Sequence, residues 1–454
     1  MKRLLGLLLV LGVVGCGGGS SPSPNDRLAK HLREMALRPP EVSSQSKADK
    51  SPAQPAEPSS DWPQFLGPAR NGISAETGLL ETFPAGGLKP AWRARGGIGM
   101  AAVAVSGGKA VTMVQDERSQ IAVALDARTG KMLWRTAIAP AYKSGCGGGN
   151  GTRATPAIAG GQVFTFSGEG ILTALSLADG TVTWSDDCLQ RLGGEQADCG
   201  MACSPLVEGG KVIVTVGAPA ATVVAYGLKT GKQAWVAGKG DPAGYSSPAM
   251  LNVGGTRQLV VLNGRAAMGI NPADGSLLWR YDYVTPYQVN IATPPAFKGS
   301  VFLSAGCNHG ATMLSLHKTG GTFQANPGWE SSGPRSVMRN EWQTSILLDG
   351  YFYGFDNVGS GGPVTHLTCV DATTGKRMWQ VRRFGKGNLI AADGKLFMTT
   401  MKGELVVAAA TPKAYRELGR AKVLETTRQA PTLAGGLLYV RDNNEIVCFD
   451  VRKP

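Results

Sequence analysis

One short pattern recurs along the chain and constrains its fold more than any other feature. A glycine lies four residues before a tryptophan at five places: Gly130 and Trp134, Gly180 and Trp184, Gly231 and Trp235, Gly275 and Trp279, and Gly375 and Trp379. In the fullest copies, at residues 124–134 and 369–379, the glycine ends an Asp-Ala-x-Thr-Gly segment. These residues favour a tight hairpin turn in which glycine takes a positive φ. The chain therefore repeats a β-hairpin unit.

The rest of each unit predicts two further strands. In the clearest copy, apolar segments at 154–158, 163–166 and 172–175 precede the Gly180 and Trp184 pair and are separated by glycine-containing turns. Short apolar segments between such turns are typical of antiparallel strands. Residues 90–454 divide into eight units of about 46 residues, the size of a four-stranded propeller blade. We therefore predict an all-β fold, an eight-bladed β-propeller.

The two ends of the repeat region are complementary. The last unit ends at residue 450 without a fourth strand, whereas the strand-like segment 89–93 precedes the first unit and carries Trp92. We expect this N-terminal strand to close the last blade, which removes an exposed sheet edge. The unit near residues 389–405 lacks a tryptophan. We expect the tryptophans of the other units to pack between neighbouring blades: Trp92, Trp134, Trp184, Trp235, Trp279, Trp329 and Trp379.

The first 60 residues differ in character from the repeats. Residues 1–15 combine Met1-Lys2-Arg3 with an eleven-residue apolar run, which predicts a signal peptide too short to span a bilayer. The run ends at Gly15-Cys16, as in a bacterial lipobox, which predicts lipidation of Cys16. A cleaved signal with an incidental cysteine is the alternative. Residues 16–60, rich in Gly, Ser and Pro, are predicted to be a disordered linker, and residues 61–454 the propeller.

Composition narrows the class of partner. The formal net charge of +13 suits attraction to anionic lipid headgroups or polysaccharide, or is a general surface property. Basic residues interleaved with aromatic residues in a stripe do not occur, so we expect no nucleic-acid partner. With 43% hydrophobic residues, most of the chain is expected to fold.

The eight cysteines of an exported chain permit disulfides. Cys188 and Cys199 lie eleven residues apart in one predicted loop and are our candidate pair. Cys369 and Cys448 occupy equivalent positions in two third strands, which favours buried free thiols. The remaining cysteines do not allow the connectivity to be derived.

Four acidic residues and one histidine in predicted loops are candidate metal ligands or catalytic groups. The loop with the predicted disulfide also holds Asp186, Asp187, Glu195 and Asp198, oxygen donors that suit calcium. Their spacing matches no metal-binding loop, so we predict a solvated loop and no metal. His309 is the one loop histidine placed for acid or base work, with a plain surface role as the alternative.

Five polar residues immediately precede predicted innermost strands. They are Arg153, Asn290, Gln343, Asn388 and Arg428. We expect them to surround the axial funnel at one face of the ring, where convergent polar groups favour ligand binding. The alternative is that they satisfy the backbone of the loops.

The Ala-x-Asp-Ala-x-Thr-Gly-x-x-x-Trp units resemble the pyrroloquinoline-quinone (PQQ)-type propeller repeat and the repeats of the BamB family of outer-membrane assembly lipoproteins. The segments 61–72 (DWPQFLGPARNG) and 413–418 (KAYREL) are similar to those of secreted PQQ-like repeat proteins. The resemblance implies a lipid-anchored, non-catalytic scaffold or binding protein of the outer membrane, facing the periplasm or the cell surface. It would engage an envelope protein or peptide through loops or a blade edge, as a monomer.

The same resemblance implies a second function, a periplasmic PQQ-dependent dehydrogenase that binds the quinone with calcium. Enzymes of that type carry an adjacent cysteine pair over the quinone, and this sequence has no adjacent cysteines. We therefore predict no cofactor and no catalytic residue. Capture of a polyanion or glycan is a third possibility, consistent with the positive charge.

Overall fold

The computed structural model describes residues 61–84, 87–146, 149–320, 322–359 and 364–453. Within these ranges, eight four-stranded sheets form the regular structure, and neighbouring strands in each sheet pair in antiparallel orientation. The predicted signal peptide, Cys16 and the linker lie outside the described residues. The eight-bladed all-β architecture is confirmed.

The strands follow the chain blade by blade. Blades 1 and 2 contain, respectively, β2 (Ala104–Ser106), β3 (Lys109–Gln115), β4 (Ser119–Asp126) and β5 (Met132–Pro140), and β6 (Ala157–Ala159), β7 (Gln162–Phe166), β8 (Ile171–Ser176) and β9 (Val182–Asp187). Blade 3 contains β10 (Leu206–Glu208), β11 (Lys211–Ala218), β12 (Ala221–Gly227) and β13 (Gln233–Ala237). Blade 4 contains β14 (Ala249–Val253), β15 (Thr256–Leu262), β16 (Ala266–Ile270) and β17 (Leu277–Asp282). Blade 5 contains β18 (Ala296–Phe297), β19 (Ser300–Ala305), β20 (Gly310–Thr319) and β21 (Thr322–Ser332). Blade 6 contains β22 (Ile346–Leu348), β23 (Tyr351–Val358), β24 (Val364–Asp371) and β25 (Arg377–Val381). Blade 7 contains β26 (Gly387–Ala392), β27 (Lys395–Thr400), β28 (Glu404–Ala409) and β29 (Glu417–Lys422).

Blade 8 joins the two ends of the repeat region. It contains β30 (Thr432–Ala434), β31 (Leu437–Arg441), β32 (Glu445–Asp450) and, as its outermost strand, β1 (Pro90–Arg95). β1 pairs antiparallel with β32, with Trp92 opposite Cys448 and Arg95 opposite Glu445. The predicted closure by the N-terminal strand is confirmed.

The Gly-x-x-x-Trp pattern has a packing explanation. In blade 1, Asp126 Oδ1 accepts hydrogen bonds from the backbone and hydroxyl groups of Thr129, and Gly130 completes the turn at φ +71°. The indole of Trp92, from the preceding blade, covers this glycine, so that a Cβ there would lie 2.6 Å from an indole carbon. The glycine thus serves both the turn and the neighbouring tryptophan.

This docking recurs around the ring. The same arrangement joins Trp134 to Gly180, Trp184 to Gly231, Trp235 to Gly275 and Trp329 to Gly375. Six indole nitrogens donate to a backbone carbonyl of the next blade at 2.8–3.1 Å: Trp92 to Ala127, Trp134 to Leu177, Trp184 to Leu228, Trp235 to Pro272, Trp329 to Ala372 and Trp379 to Thr411. At six of the eight interfaces, a buried indole and one hydrogen bond therefore fix a blade to the next one.

Two places depart from the pattern for structural reasons. Trp279 faces blade 5, whose β20–β21 hairpin is long and offers no such turn, and its indole donates instead to Gln258 of its own blade at 2.7 Å. In blade 7, Gly419 takes the tryptophan position and packs against Phe83. The outer two strands of blade 8 come from opposite ends of the repeat region, so no turn there can receive an indole.

Helical structure is scarce. The described residues contain an α-helix, α1 (Cys188–Leu192), and two 3₁₀ turns at Pro286–Gln288 and Gly333–Arg335. None of the helices in the described part of the chain has the length and apolar character needed to cross a membrane.

Candidate ligand site in the axial funnel

A cavity of about 310 Å³ lies on the axis of the ring. Every blade contributes to its wall through residues just before or at the start of its innermost strand. The larger wall residues are Met100, Arg153, Tyr245, Val289, Ile291, Trp342, Asn388 and Arg428. Small residues also line the cavity two positions after five of these: Ala102, Thr155, Ser247, Thr344 and Ala430. Blade 3 contributes the small residues Ala202 and Ser204. The repeat therefore builds the cavity by placing equivalent positions at the axis.

The structure brings three of the five predicted funnel residues together. Arg153, Asn388 and Arg428 line the cavity. Asn290 and Gln343 do not: Asn290 is buried and donates to the carbonyls of Asn263, Gly264 and Tyr283, and Gln343 donates to the Phe355 carbonyl at 2.5 Å. These two residues satisfy loop backbone, which was the stated alternative.

The prediction missed the cavity by one residue in these two loops. Val289 and Ile291 flank Asn290, and Trp342 and Thr344 flank Gln343, and all four flanking residues line the cavity. Side chains alternate along extended backbone, so neighbours of an outward-facing residue face inward. The polar residue is the one that stands out in the sequence, whereas the residues on either side of it form the wall.

Arg153 is held in place by its own loop. Its guanidinium donates to the carbonyls of Gly149 and Gly151 at 2.9 Å and to Ser144 Oγ at 3.1 Å. It also lies over the Tyr142 ring, 5.2 Å from the centroid. Burial lowers the pKa of Arg153, and the nearby positive charge of Arg428 lowers it further. Two cations therefore face the same cavity.

The disulfide prediction is wrong in one partner. The structure joins Cys146 to Cys199, and both residues line the cavity. Cys188 begins α1 and is a buried free thiol in contact with the Tyr226 hydroxyl at 3.0 Å, and burial raises its pKa. It packs in the interface between blades 2 and 3, away from Cys199. Cys307, a half-buried free thiol, lies in the same cavity wall as the disulfide.

Two of the four loop carboxylates have local structural partners, and the other two, Glu195 and Asp198, are exposed. Asp186 pairs with Arg191 at 2.9 Å, and Asp187 caps α1 by accepting from the Gln190 backbone at 3.0 Å. His309 packs edge-on against Tyr283, and burial lowers its pKa. Within the described ranges, no group of three or more His, Cys, Asp or Glu side chains is arranged to hold a metal ion.

The segment after residue 60 contributes to the cavity wall, a role that the sequence did not predict. Phe65 lines the cavity, and Trp62 is buried against Gly67. Arg70 is buried at positive φ, and its guanidinium donates to the Ser204 carbonyl at 2.9 Å and to the carbonyls of Pro205 and Pro248. These residues belong to the segment 61–72, whose similarity to secreted PQQ-like repeat proteins did not indicate a place in the cavity.

Glu341 is the one acidic residue among the described residues that line the cavity. Glu341 Oε2 pairs with Lys386 Nζ at 2.6 Å and accepts from Asn357 Nδ2 at 2.6 Å. This carboxylate is therefore already neutralised and hydrogen-bonded by the protein.

A family model described as outer membrane protein assembly factor BamB matches residues 117–344 and 364–453. The chain belongs to the BamB family. A search of the curated proteins gives no match. The predicted resemblance to BamB and to PQQ-type propellers is thus confirmed at the level of family and fold.

Solved structures share the ring at low sequence identity. A europium-containing methanol dehydrogenase is 16% identical with a TM-score of 0.62, over 84% of this chain and 89% of that one. Quinohemoprotein alcohol dehydrogenase from Comamonas testosteroni is 15% identical with a TM-score of 0.63, over 87% and 81%. BamB from Moraxella catarrhalis is 12% identical with a TM-score of 0.54, over 80% and 97%. These similarities establish the fold.

The resemblance to PQQ-type repeats in the sequence implies PQQ with calcium, and the cavity fits only part of that pair. Arg153 and Arg428 suit carboxylates of an anionic ligand. Calcium requires several oxygen ligands, commonly carboxylates. Glu341, the wall's acid, is already bound to Lys386 and Asn357. The donor set described here does not fit the metal, and we derive no reaction step through the quinone.

Proposed function

We propose that this protein is a non-catalytic scaffold or binding protein of the cell envelope, which engages an extended segment of a partner protein along the free edge of a blade. The observation that carries the proposal is the apolar character of several outermost strands. Met132 and Leu133 on β5 are 45% and 43% exposed, and Leu277 on β17 is 50% exposed. Val236 on β13 and Met378 on β25 are also exposed.

Exposed apolar edges are unusual in soluble proteins. An outermost strand has one row of unpaired backbone groups, and edges are ordinarily protected by charges, proline or bulges. A peptide that adds as a further strand would satisfy these groups, while the apolar side chains supply contact area. β5 suits this role because it spans nine residues and forms one edge of its sheet.

The family supports a protein partner and an envelope location. The family model that matches this chain is named for an outer membrane protein assembly factor, BamB. The proposal includes a signal peptide at residues 1–15, lipidation at Cys16 and an outer-membrane anchor facing the periplasm or the cell surface. A positive net charge of +13 would favour association with anionic headgroups. The proposed state is a monomer.

A PQQ-dependent dehydrogenase is the second candidate. Its supporting observation is the pair of arginines in the axial cavity, which suit an anionic cofactor. The mismatch at Glu341 described above counts against the accompanying calcium, and we assign no catalytic residue.

Site-specific photocrosslinking in intact cells tests the edge. A photoreactive residue at Leu133 is expected to capture one discrete partner, whereas the same residue at Arg128, exposed on the adjoining turn, is not. A synthetic peptide of the captured segment should then bind the purified protein and protect β5 amides from hydrogen exchange. Leu133→Lys should weaken that binding at least tenfold. Equal capture at both positions, or unchanged peptide binding in Leu133→Lys, would contradict the proposal.

A further inference from the structure

Residues 61–83, which we name the strap, begin by pairing with the innermost strands of two blades. Trp62 exchanges two backbone hydrogen bonds with Val105 of β2, at 2.9 and 2.8 Å. The Pro63 carbonyl accepts from the backbone N–H of Ile158 in β6 at 2.7 Å. An innermost strand has backbone groups on its axial side that its own sheet does not pair. The strap therefore satisfies part of this edge in blades 1 and 2.

Arg70 attaches the middle of the strap to blades 3 and 4. Its side chain is buried, and its guanidinium donates to the Ser204 carbonyl at 2.9 Å and to the carbonyls of Pro205 and Pro248. These three acceptors lie just before β10 and β14, the innermost strands of the two blades. Burial lowers the pKa of Arg70 to about 9. Acceptors from two blades thus converge on one side chain of the strap.

The second half of the strap reaches blades 6, 7 and 8. Gly72 lies against the Ile346 side chain of β22, where a Cβ would overlap it. The Gly72 carbonyl accepts from the Ala391 N–H of β26 at 2.8 Å, and the Ser74 N–H donates to the Ala391 carbonyl at 2.8 Å. Further hydrogen bonds and an ion pair join the strap to blade 8 and the C-terminal segment: Gly435 to Glu76, Leu80 to Val451, Lys453 to Gly78, and Lys453 Nζ to Glu81 Oε1. The contacts along the strap follow the order of the blades around the ring.

The position of these contacts along the innermost strands locates the strap on the axis. The innermost strands run in the same direction along the axis, because the blades share one strand order. In three blades the residue that contacts the strap comes three positions after a residue that lines the cavity: Val105 after Ala102, Ile158 after Thr155, and Ala391 after Asn388. Three residues of extended chain span about 10 Å. Phe65 of the strap lines the same cavity, so the strap borders it at this end.

We infer that the strap closes the axis at the end where the innermost strands finish, so that the axial cavity opens at the opposite end, among the loops that precede these strands. Arg70 holds the strap across the axis, because removal of its guanidinium would deprive three buried carbonyls of a donor. A ligand or partner segment would enter the cavity from the open face. The inference depends neither on docking at a blade edge nor on lipidation.

Three buried free thiols report separately on the strap and on the ring. Cys203 directly precedes Ser204; burial raises the pKa of this thiol, and the nearby positive charge of Arg70 opposes the rise. Cys369 in blade 6 and Cys448 in blade 8 are buried within their own blades. Labelling of Cys203 therefore follows release of the strap, whereas labelling of the other two follows opening of the blades.

Arg70→Met tests the attachment, because methionine retains an apolar chain and has no donor for the three carbonyls. We expect Cys203 to react with iodoacetamide at least tenfold faster than in the wild type and the amides of residues 61–74 to exchange faster, while the thiols in blades 6 and 8 stay protected. Arg118→Met, at an exposed arginine outside the strap, should leave every rate unchanged. Unchanged labelling of Cys203, or equal acceleration at all three thiols, would overturn the role of Arg70.

Cleavage of the folded full-length chain tests the closure with the ring sequence intact. A protease site inserted between Pro84 and Gly87 is cut after folding, and mild urea then removes the N-terminal fragment, as followed by size-exclusion chromatography. Cys203 should stay protected while the fragment is bound and should react at least tenfold faster once it has left, with the ring still folded by tryptophan fluorescence. A folded ring that has lost the fragment and still protects Cys203 would refute closure by the strap.

Discussion

Glu169 shows what partial burial does to the pKa of one carboxyl group. It lies in the turn between β7 and β8, where Gln120 Nε2 donates to its carboxylate. The side-chain Oε1 of Gln120 accepts from the backbone N–H of Gly168. Burial raises the pKa of Glu169 above its ordinary value of 4.5, and the Gln120 hydrogen bond opposes the rise only in part. The folded protein therefore holds this proton more tightly than the unfolded chain does.

This raised pKa predicts a pH-dependent effect of Glu169→Gln. Because the folded state binds the proton more tightly, the contribution of Glu169 to stability is complete below about pH 4.5 and is lost as pH rises through the folded pKa. The variant should match the wild type in free energy of unfolding at pH 4 and be more stable than the wild type at pH 7, because the glutamine carries no charge to be desolvated. Urea unfolding at both pH values measures the difference. Glu117→Gln, at an exposed position, is the control; a variant less stable at pH 7 would contradict the prediction.

Single residues of the axial cavity show which positions the sequence could predict and which it could not. Arg153, Asn388 and Arg428 were found because polar residues before an innermost strand are visible in the repeat. Asn290 and Gln343 were placed in the funnel although they bond to loop backbone, because one position of offset reverses the direction of a side chain. The Cys146–Cys199 bond was missed because the two loops meet only when neighbouring blades are in place. Local patterns are readable in the sequence, and contacts created by ring closure are not.

At the scale of the element, the blade-to-blade contact depends on one indole and one turn. Trp235 is buried, lies over Gly275 of the next blade and donates to the Pro272 carbonyl at 3.1 Å. The recurring tryptophan predicted packing between neighbouring blades, but it did not predict that the indole would lie over the glycine of the next unit. The sequence also did not predict that Phe83 covers Gly419 in blade 7, since nothing in that unit indicates which distant residue replaces the tryptophan.

We predict that Trp235→Ala lowers the free energy of unfolding by about 3–5 kcal/mol, because it leaves a cavity between two blades and an unpaired carbonyl. Leu277→Ala, at a side chain that is 50% exposed, should change it by less than about 0.5 kcal/mol. Chemical denaturation of both variants provides the comparison. Similar losses in the two variants would mean that the indole does not fix the blades together.

At the scale of the whole molecule, the ring is closed by β1 on β32. Trp92 lies opposite Cys448 in blade 8, and Trp379 lies opposite Cys369 in blade 6, which gives two equivalent pairs. Both cysteines are buried free thiols. Blade 6 is formed by one continuous segment, whereas blade 8 combines distant segments, so the two pairs compare an ordinary blade with the closing one.

Thiol labelling of two tryptophan variants tests the closure. Trp92→Ala should increase the labelling rate of Cys448 at least tenfold and leave Cys369 protected, because β1 opens locally once its indole is lost. Trp379→Ala should expose Cys369 and leave Cys448 protected. Peptide mapping by mass spectrometry assigns each label. If either variant exposed both thiols equally, the ring would open as a whole, and β1 would not separate from β32 independently of the other blades.

The origin of β1 also affects biosynthesis. About 350 residues separate Arg95 from its partner Glu445, and a ribosome produces a chain from its N-terminus. The first strand to be synthesised is consequently the last to find its neighbour, and it waits unpaired through the production of seven complete blades. A product truncated before β32 retains a lone strand and an unfinished sheet, both of which favour aggregation. Completion of the ring thus distinguishes full-length molecules from interrupted ones.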